Sequence, residues 1–235
     1  MPVAGSGTAG TAPAYAPLII ACGYAEAVNA GTDVQYTPVD EAASITLHMK
    51  HDKVLHTITG ARGTWRMVAN QREYAWMEFE FIGLYNAPTN HTTSLGPVLT
   101  AFQKPVPFRA ANVDFELFGQ ALCLRSLTVN GGQSNAFFEC SEAESIQLED
   151  RQGSFDASFL EPEIPTYNVW AQIDADTVGA LEYTHGTTAG NIVEFVGHHA
   201  QITSVSREDD QGNMVLSVSG PLARVGATET TLTVR

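Results

Sequence analysis

The chain has 235 residues and a formal net charge of −14, from 12 Lys and Arg against 26 Asp and Glu. Such an acidic surface repels phosphates, which argues against nucleic-acid binding as its function. A chain of this length buries about 70% of its unfolded surface on folding, so its core needs neither a disulfide nor a metal. No segment is long and apolar enough for a membrane span or a signal peptide, and we expect the protein to fold in a cytoplasm.

Residues 1–14 are rich in Gly, Ala, Ser, Thr and Pro and show no apolar period, which predicts a flexible N-terminal arm. Residues 15–235 predict a single β domain. Its first element is a short apolar helix over Tyr15–Cys22, which Gly23 ends. The strands that follow are expected at about Val34–Tyr36, Ser44–Lys50, Val54–Thr59, Thr64–Ala69 and Tyr74–Gly83.

The alternation of apolar and polar residues is clearest in residues 60–85. Met77, Phe79 and Phe81 alternate there with Glu78 and Glu80, as on a strand with one buried and one exposed face. The two carboxylates would stand about 7 Å apart, a spacing that inverting glycosidases also use. Since no aromatic subsite lies near them in the sequence, a solvated strand face explains them better.

Residues 86–107 predict a long loop, because Pro, Thr and Asn are frequent and no period is sustained. Loops of this length in compact domains are usually functional or contact a partner.

The second half of the chain repeats the β pattern. Phe115 and Leu117 alternate with Asp114 and Glu116, and a second helix is expected within Glu161–Asp176, with Pro165 in its first turn. Further strands are expected at about Leu124–Asn130, Ala136–Cys140, Ser145–Asp150, Ser154–Leu160, Ala180–Tyr183, Ile192–Val196, Gln201–Arg207, Met214–Ser219 and Thr230–Val234. This pattern predicts a mainly β fold, a two-sheet β-sandwich with one or two short helices and a long loop.

Histidine, cysteine and acidic residues are present, but not in the spacings that a metal site or a catalytic site requires. The histidines at 48, 51 and 56 and the pair at 198 and 199 supply no complete set of metal ligands. The acidic run 208–213 lacks the spaced ligands of a calcium loop and predicts a turn. Cys22, Cys123 and Cys140 form no CxxC pair, and we expect buried, reduced thiols. We therefore expect no catalytic residue, no metal and no cofactor.

Five blocks of sequence occur in a recognisable order. They are APAYAPLIIACGYAEAV (12–28), GTDVQYTPV (31–39), the hairpin region from Val54 with VLHTITGARGT and its closing GLYNAPT, DRQGSFDASF (150–159) and GTTAGNIV (186–193). Together they span most of the chain, and in this order they resemble the tail tube proteins, or major tail proteins, of long-tailed bacteriophages.

The resemblance implies a structural virion protein, assembled in the cytoplasm of the bacterial host. Subunits of this family form rings, commonly hexameric, in which neighbouring sheets join into one inner barrel. The rings stack into a tube around a tape-measure protein, and tail terminator and distal tail proteins bind its ends. DNA passes through the lumen without specific binding, and no membrane is involved. Acidic residues on the polar strand faces are candidates to line that lumen: Glu78, Glu80, Asp114 and Glu116.

A second hypothesis is a carbohydrate- or ligand-binding β-sandwich. Such a module needs a concave site with aromatic platforms. The chain has three tryptophans, and we expect Trp65 and Trp170 to belong to the core because apolar neighbours share their phase.

Overall fold

The computed structural model describes residues 1–91, 98–225 and 229–235. It is mainly β, with 58% of the residues in strands and two short helices. The helices are α1 (Ala16–Ala21) and α2 (Val169–Asp174). The strands are β1 (Tyr24–Asn29), β2 (Asp33–Pro38), β3 (Ile45–His51), β4 (Val54–Asn70), β5 (Trp76–Tyr85), β6 (Thr89–Asn90), β7 (Val113–Leu117), β8 (Gln120–Ala121), β9 (Leu124–Asn130), β10 (Gln133–Cys140), β11 (Ala143–Arg151), β12 (Gly153–Leu160), β13 (Val178–His185), β14 (Val193–Gln201), β15 (Ser204–Asp210), β16 (Asn213–Leu222) and β17 (Thr230–Val234).

Six antiparallel strands form what we call the first run, in the order β5–β4–β9–β12–β16–β15. One face of this run is apolar, because successive side chains of a strand point to opposite faces. Met77, Met67, Val129 and Phe155 stand side by side across four of its strands, and all four are buried.

Six further antiparallel strands form the second run, in the order β7–β13–β14–β17–β2–β1. A row of buried side chains crosses five of these strands: Phe115, Tyr183, Phe195, Leu232 and Tyr36. A single residue pair, Ala200 with Leu222, joins β14 to β16 and thereby connects the two runs into one hydrogen-bonded network.

The apolar faces of the two runs contact each other. The ring of Trp65 in β4 meets that of Phe195 in β14 at a centroid distance of 6.0 Å in an edge-to-face arrangement. Phe115 in β7 lies 6.4 Å from Phe159 in β12. Such ring pairs, together with the apolar area that they bury, are a main source of stability in a core of this kind.

Two hairpins extend from these runs. The basic hairpin, residues 45–59, consists of β3 and the first part of β4, joined by a turn at Asp52 and Lys53. The acidic hairpin, residues 133–151, consists of β10 and β11, which pair with each other in a separate two-stranded sheet. Arg62 in β4 donates hydrogen bonds to the carbonyl oxygens of Ala42, which precedes β3, and Ile146 in β11, and so connects the acidic hairpin to the segment before the basic hairpin.

The first residues do not extend from the domain as the arm that the sequence predicts for residues 1–14. The amide of Val3 donates to the carbonyl of Ala75 at 2.8 Å, the amide of Met77 donates to the carbonyl of Met1 at 2.8 Å, and Val3 is buried. Further along, the amide of Gly7 donates to the carbonyl of Gly190. Side-chain periodicity gives no sign of this packing, because backbone groups make these bonds and small residues allow close approach.

The predicted loop over residues 86–107 contains a short strand, β6, which pairs with Val54 and Leu55 of the basic hairpin. Near its end, Pro107 pairs with Tyr74 and Val106 accepts a hydrogen bond from His185. Residues 92–97 of this predicted loop lie outside the described residues.

The second helix is shorter than expected. It begins after Asn168, whose side-chain oxygen accepts a hydrogen bond from the amide of Ala171 at 3.1 Å. Asparagine is a favoured N-cap, so the helix starts there and Pro165 precedes it, contrary to the prediction. Trp170 is 36% exposed, so its assignment to the core was wrong, whereas Trp65 is buried as expected. Within the described ranges, no helix is long and apolar enough to cross a membrane.

Candidate functional site

The acidic residues singled out in the sequence lie on two different outer faces. Glu78 and Glu80 are exposed on β5, on the side of the first run that faces away from the core. Asp114 and Glu116 are exposed on β7, on the side of the second run that faces away from the core. Because the apolar faces of the runs contact each other, the two pairs point in opposite directions. The structure brings together the members of each pair but not the pairs themselves.

Glu78 has a cationic neighbour that the sequence did not indicate. It stands opposite Arg66 on β4, and the guanidinium Nε donates to its carboxylate at 3.0 Å. Both side chains are about half exposed, and solvent-exposed ion pairs contribute little to stability. Arg66 therefore offsets the charge of Glu78, and the net negative charge of these three side chains comes from Glu80.

Glu116 has the opposite kind of neighbour. It stands directly across from Glu182 on β13, and both side chains are exposed. Like charges at directly opposite positions of an antiparallel pair destabilise the sheet. Glu182 therefore belongs to this acidic face, and only the strand register, which the sequence does not show, reveals it.

Hydroxyl groups cover most of the outer face of the first run. Ser126, Ser158, Ser217 and Ser206 stand side by side across four strands. The next row consists of Thr128, Asp156, Ser219 and Ser204. On each strand serine or threonine alternates with apolar residues, and this alternation is visible in the sequence. The sequence does not show that the hydroxyls of different strands line up in rows. The result is a broad polar face on which these two rows carry one charged side chain, Asp156.

A cavity of about 790 Å³ lies where this face meets the acidic hairpin. Thr64, Glu78, Phe79 and Glu80 form one side, and Gln133 lies on the other. The side-chain oxygen of Gln133 accepts a hydrogen bond from the Thr64 hydroxyl at 2.9 Å, whereas its Nε2 has no partner although the residue is only 6% exposed. A buried amide nitrogen without a partner is costly, and because this nitrogen is covered, a ligand in the cavity cannot reach it in this conformation.

A second cavity, of about 800 Å³, lies at the far end of the first run. It is lined by polar residues, among them Arg72, Arg125 and Asp210, and Arg125 forms an ion pair with Asp210. The acidic run 208–213 lies here as the end of β15 and a turn, where Gly212 donates its amide to Asp209. The predicted turn is confirmed.

Individual histidines form hydrogen bonds with hydroxyl groups and do not form a cluster with one another. His48 lies 3.0 Å from the Thr57 hydroxyl, and His198 lies 2.9 Å from that of Thr231. His185 is buried, and burial lowers the pKa of its imidazole. In the ranges that the structure describes, no three His, Cys, Asp or Glu residues lie close enough to hold a metal ion. The absence of a bound metal stays a prediction.

The expectation that all three cysteines are buried holds for one of them. Cys22 is buried behind α1, and burial raises the pKa of its thiol to about 12. Cys140 at the end of the acidic hairpin and Cys123 between β8 and β9 are both exposed. The prediction was wrong for both, and for Cys140 the reason is that its apolar neighbours in sequence, Phe137 and Phe138, are themselves exposed on the hairpin.

No model of a known protein family matches the chain, and no curated protein sequence matches it either. Its function has therefore to be inferred from the faces, edges and cavities of the molecule.

Proposed function

We propose that this protein is a structural subunit that assembles with copies of itself into rings and stacked tubes, as the tail tube proteins of long-tailed bacteriophages do. In this proposal the two runs are the sheets of a β-sandwich, and the first run of each copy joins that of the next into a continuous inner barrel. The sequence resemblance described above supports this assignment.

The observation that carries the proposal is the pair of open edges on the first run. At the start of β5 the N-terminal residues pair with the strand, since the Met77 amide donates to the Met1 carbonyl. In the described residues, the rest of β5 pairs with β4 alone, and β15 pairs with β16 alone. Unpaired strand edges are templates for pairing with another chain, and closure into a barrel removes them. A run with an open edge at each end has the connectivity that a ring of identical subunits needs.

This closure would also decide which face lines the lumen. The second run packs on the apolar face of the first, so the hydroxyl-covered face of the first run points inward when the first run forms the barrel. Glu78, Glu80 and Asp156 then face the lumen, whereas Asp114 and Glu116 lie on the outside. Six copies of a chain with a net charge of −14 carry −84 per ring, which disfavours contact with DNA phosphates.

The remaining partners in the proposal come from the resemblance alone. They are a tape-measure protein inside the tube and the terminator and distal tail proteins at its ends. The protein would then act in the virion tail as a conduit for DNA ejection and have no enzymatic activity.

The test is assembly of the purified protein, followed by light scattering across concentrations and by negative-stain electron microscopy. We expect rings or tubes with a central hole from the wild type. Ile82→Lys combined with Tyr85→Lys places charge on the exposed end of β5, and edge lysines prevent strand pairing, so this variant should stay monomeric. Ile164→Lys, at an exposed position outside the strands, is the matched control and should assemble. A wild type that is monomeric under every condition, and forms no ring in infected cells, overturns the proposal.

A second candidate is a ligand-binding β-sandwich, which the cavity beside Gln133 favours. The carboxylates of Glu78 and Glu80 and the ring of Phe79 line it, and these are groups that neutral sugars bind. Titration with mono- and disaccharides, followed by the fluorescence of the adjoining Trp65, tests it, with Glu80→Gln as the variant that should lose binding. No saturable change with any sugar removes this candidate.

A further inference from the structure

The ends of the two hairpins carry opposite charge. The basic hairpin holds two of the three lysines of the chain, Lys50 and Lys53, together with His48, His51 and His56. Asp52 in its turn is the one acidic residue there. In a chain with a net charge of −14, this concentration of basic side chains on one hairpin stands out from the rest of the surface.

The end of the acidic hairpin carries three glutamates and no cation. Glu139 stands directly opposite Glu144, and Glu142 lies in the turn between their strands. Like charges directly opposite in an antiparallel pair destabilise the hairpin. In the described part of the chain, none of the three carboxylates has a side-chain hydrogen bond or an ion pair. A cation from elsewhere would remove this repulsion.

Exposed apolar side chains lie beside both sets of charges. Phe137 and Phe138 on the acidic hairpin are 54% and 46% exposed, and Met49 on the basic hairpin is 67% exposed. Protein interfaces combine apolar, often aromatic, centres with a polar rim, and exposed apolar patches of this kind mark interaction sites.

The acidic hairpin has one face toward its own subunit and one face away. Ile146 is buried, and Arg62 holds its carbonyl oxygen. Phe137 shares the face of Ile146, whereas Phe138 pairs with Ser145 on the other face. Glu139 and Glu144 lie on the face of Ile146, and Phe138 lies on the other face. At the end of the hairpin residues 138–144 are all exposed, so both faces are open there to a second molecule.

We propose that the end of the acidic hairpin of one copy docks edge to edge, through β10, on strand β3 of the basic hairpin of a neighbouring copy. Glu139 and Glu144 then lie against Lys50 and Lys53 on one face of the joined strands, and Phe138 lies against Met49 on the other face. The contact joins different surfaces of identical chains, so it repeats from copy to copy and produces a ring or a filament. The inference rests on the proposed function in that it names the contact by which the subunits assemble.

Charge reversal with rescue tests the contact. Lys50→Glu with Lys53→Glu places four like charges together, and Glu139→Lys with Glu144→Lys does the same on the other hairpin. Each double variant should raise the concentration needed for half-assembly by about tenfold or more, because like charges across an interface are strongly unfavourable. The variant with all four changes restores the net charge and the pairing, and should assemble within about threefold of the wild type. Glu163→Lys with Asp174→Lys, two exposed acids elsewhere, is the matched control and should behave as the wild type.

A covalent test uses the natural Cys140 at the end of the acidic hairpin. Met49→Cys in a Cys123→Ser background should yield a ladder of disulfide-linked oligomers on oxidation with diamide, and the Cys123→Ser protein alone should not. Circular dichroism and thermal melting of every variant identify any that fail to fold.

The outcomes separate this inference from the proposed function. If the wild type assembles and the reversed variants assemble equally well, or the fourfold variant is not rescued, the hairpin contact is wrong while the proposed function stands. If the wild type never assembles, the proposed function falls, and the cross-link from Met49→Cys at high concentration decides the hairpin contact on its own. Absence of that ladder overturns it.

Discussion

Arg151 and Glu229 form an ion pair that is almost completely buried: their Nε and Oε2 atoms lie 2.9 Å apart, and the side chains are 6% and 5% exposed. Arg151 ends the acidic hairpin, and Glu229 precedes β17, so the pair connects the base of the hairpin to the second run. Arg151 also donates to the carbonyl oxygen of Val39 at 3.2 Å.

Removing one partner of this pair should be costly. Arg151→Met leaves the carboxylate of Glu229 buried without a counterion, and we expect the free energy of unfolding to fall by about 3–5 kcal/mol. Arg151→Met with Glu229→Gln leaves no unpaired charge and should recover part of the loss. Urea unfolding followed by tryptophan fluorescence measures both. Arg224→Met, which breaks the exposed pair with Asp40, is the control and should have a much smaller effect. Equal effects of Arg151→Met and Arg224→Met would contradict the prediction.

Stability should depend on pH through His185. Its Nε2 donates to the carbonyl of Val106 at 2.8 Å, and its Nδ1 accepts from the Tyr183 hydroxyl at 3.0 Å. Because one ring nitrogen donates and the other accepts, these bonds require the neutral imidazole. Burial lowers the pKa of His185 in the folded protein, so the unfolded chain binds the proton first as the pH falls. The free energy of unfolding should therefore decrease as the pH falls below about 6.5, by at most about 1.4 kcal/mol per pH unit, until the folded pKa is reached.

Chemical unfolding between about pH 5 and pH 7.5 measures this slope. His185→Gln should flatten it, and the slope that remains comes in part from His198, whose pKa burial also lowers. A slope that is the same in the wild type and His185→Gln would show that His185 is not the group responsible.

The three thiols should differ in reactivity. The thiolate is the reactive form of cysteine, and burial raises the pKa of Cys22 to about 12, so Cys22 should not react with a thiol reagent in the folded protein. The exposed Cys123 and Cys140 should both react. Titration with Ellman's reagent should count two thiols in the native protein and three in denaturant. Cys123→Ser and Cys140→Ser should each lower the native count by one, and a native count of three would contradict the burial of Cys22.

Charge on the two outer faces should affect DNA passage differently. Glu78→Lys with Glu80→Lys places cations on the face that we propose to line the lumen, and DNA ejection from virions should slow or stall at low salt. Added salt should relieve the block, because it screens charges over roughly 8–10 Å. Asp114→Lys with Glu116→Lys changes the opposite face by the same charge and should leave ejection unchanged. Slowing by the second pair and not by the first would reverse the proposed orientation of the subunit.

Much of the secondary structure follows from side-chain alternation. The phase of Met77, Phe79 and Phe81 against Glu78 and Glu80 predicts β5 and its core-facing side. The strand is confirmed, and on that side Met77 is buried whereas Phe79 and Phe81 are half-buried. The same holds for Phe115 and Leu117 of β7, which are buried. The alternation is readable because one face of each strand packs on the core, and burial of alternate residues leaves a period of two in the sequence.

Features that depend on which strands pair could not be read from the chain. The rows of serines arise only when β9, β12, β16 and β15 lie in one register, and a shift by one residue would point them into the core. The opposition of Glu116 and Glu182 has the same origin. The exposure of Trp170 and Cys140 depends on what lies above their own element, which local sequence does not specify.

The single pair Ala200–Leu222 is, in the described residues, the one hydrogen-bonded strand contact between the two runs. The Ala223 amide, just after β16, donates to the His199 carbonyl beside this pair, and elsewhere the runs meet mostly through apolar side chains, whose contacts have no fixed direction. Small sliding of one run over the other would therefore stretch few backbone hydrogen bonds. When a long assembly of these subunits bends, each subunit would deform slightly by this sliding, instead of all the bending taking place at the interfaces between copies. The bending stiffness of the assembly would then depend on side-chain packing inside each subunit.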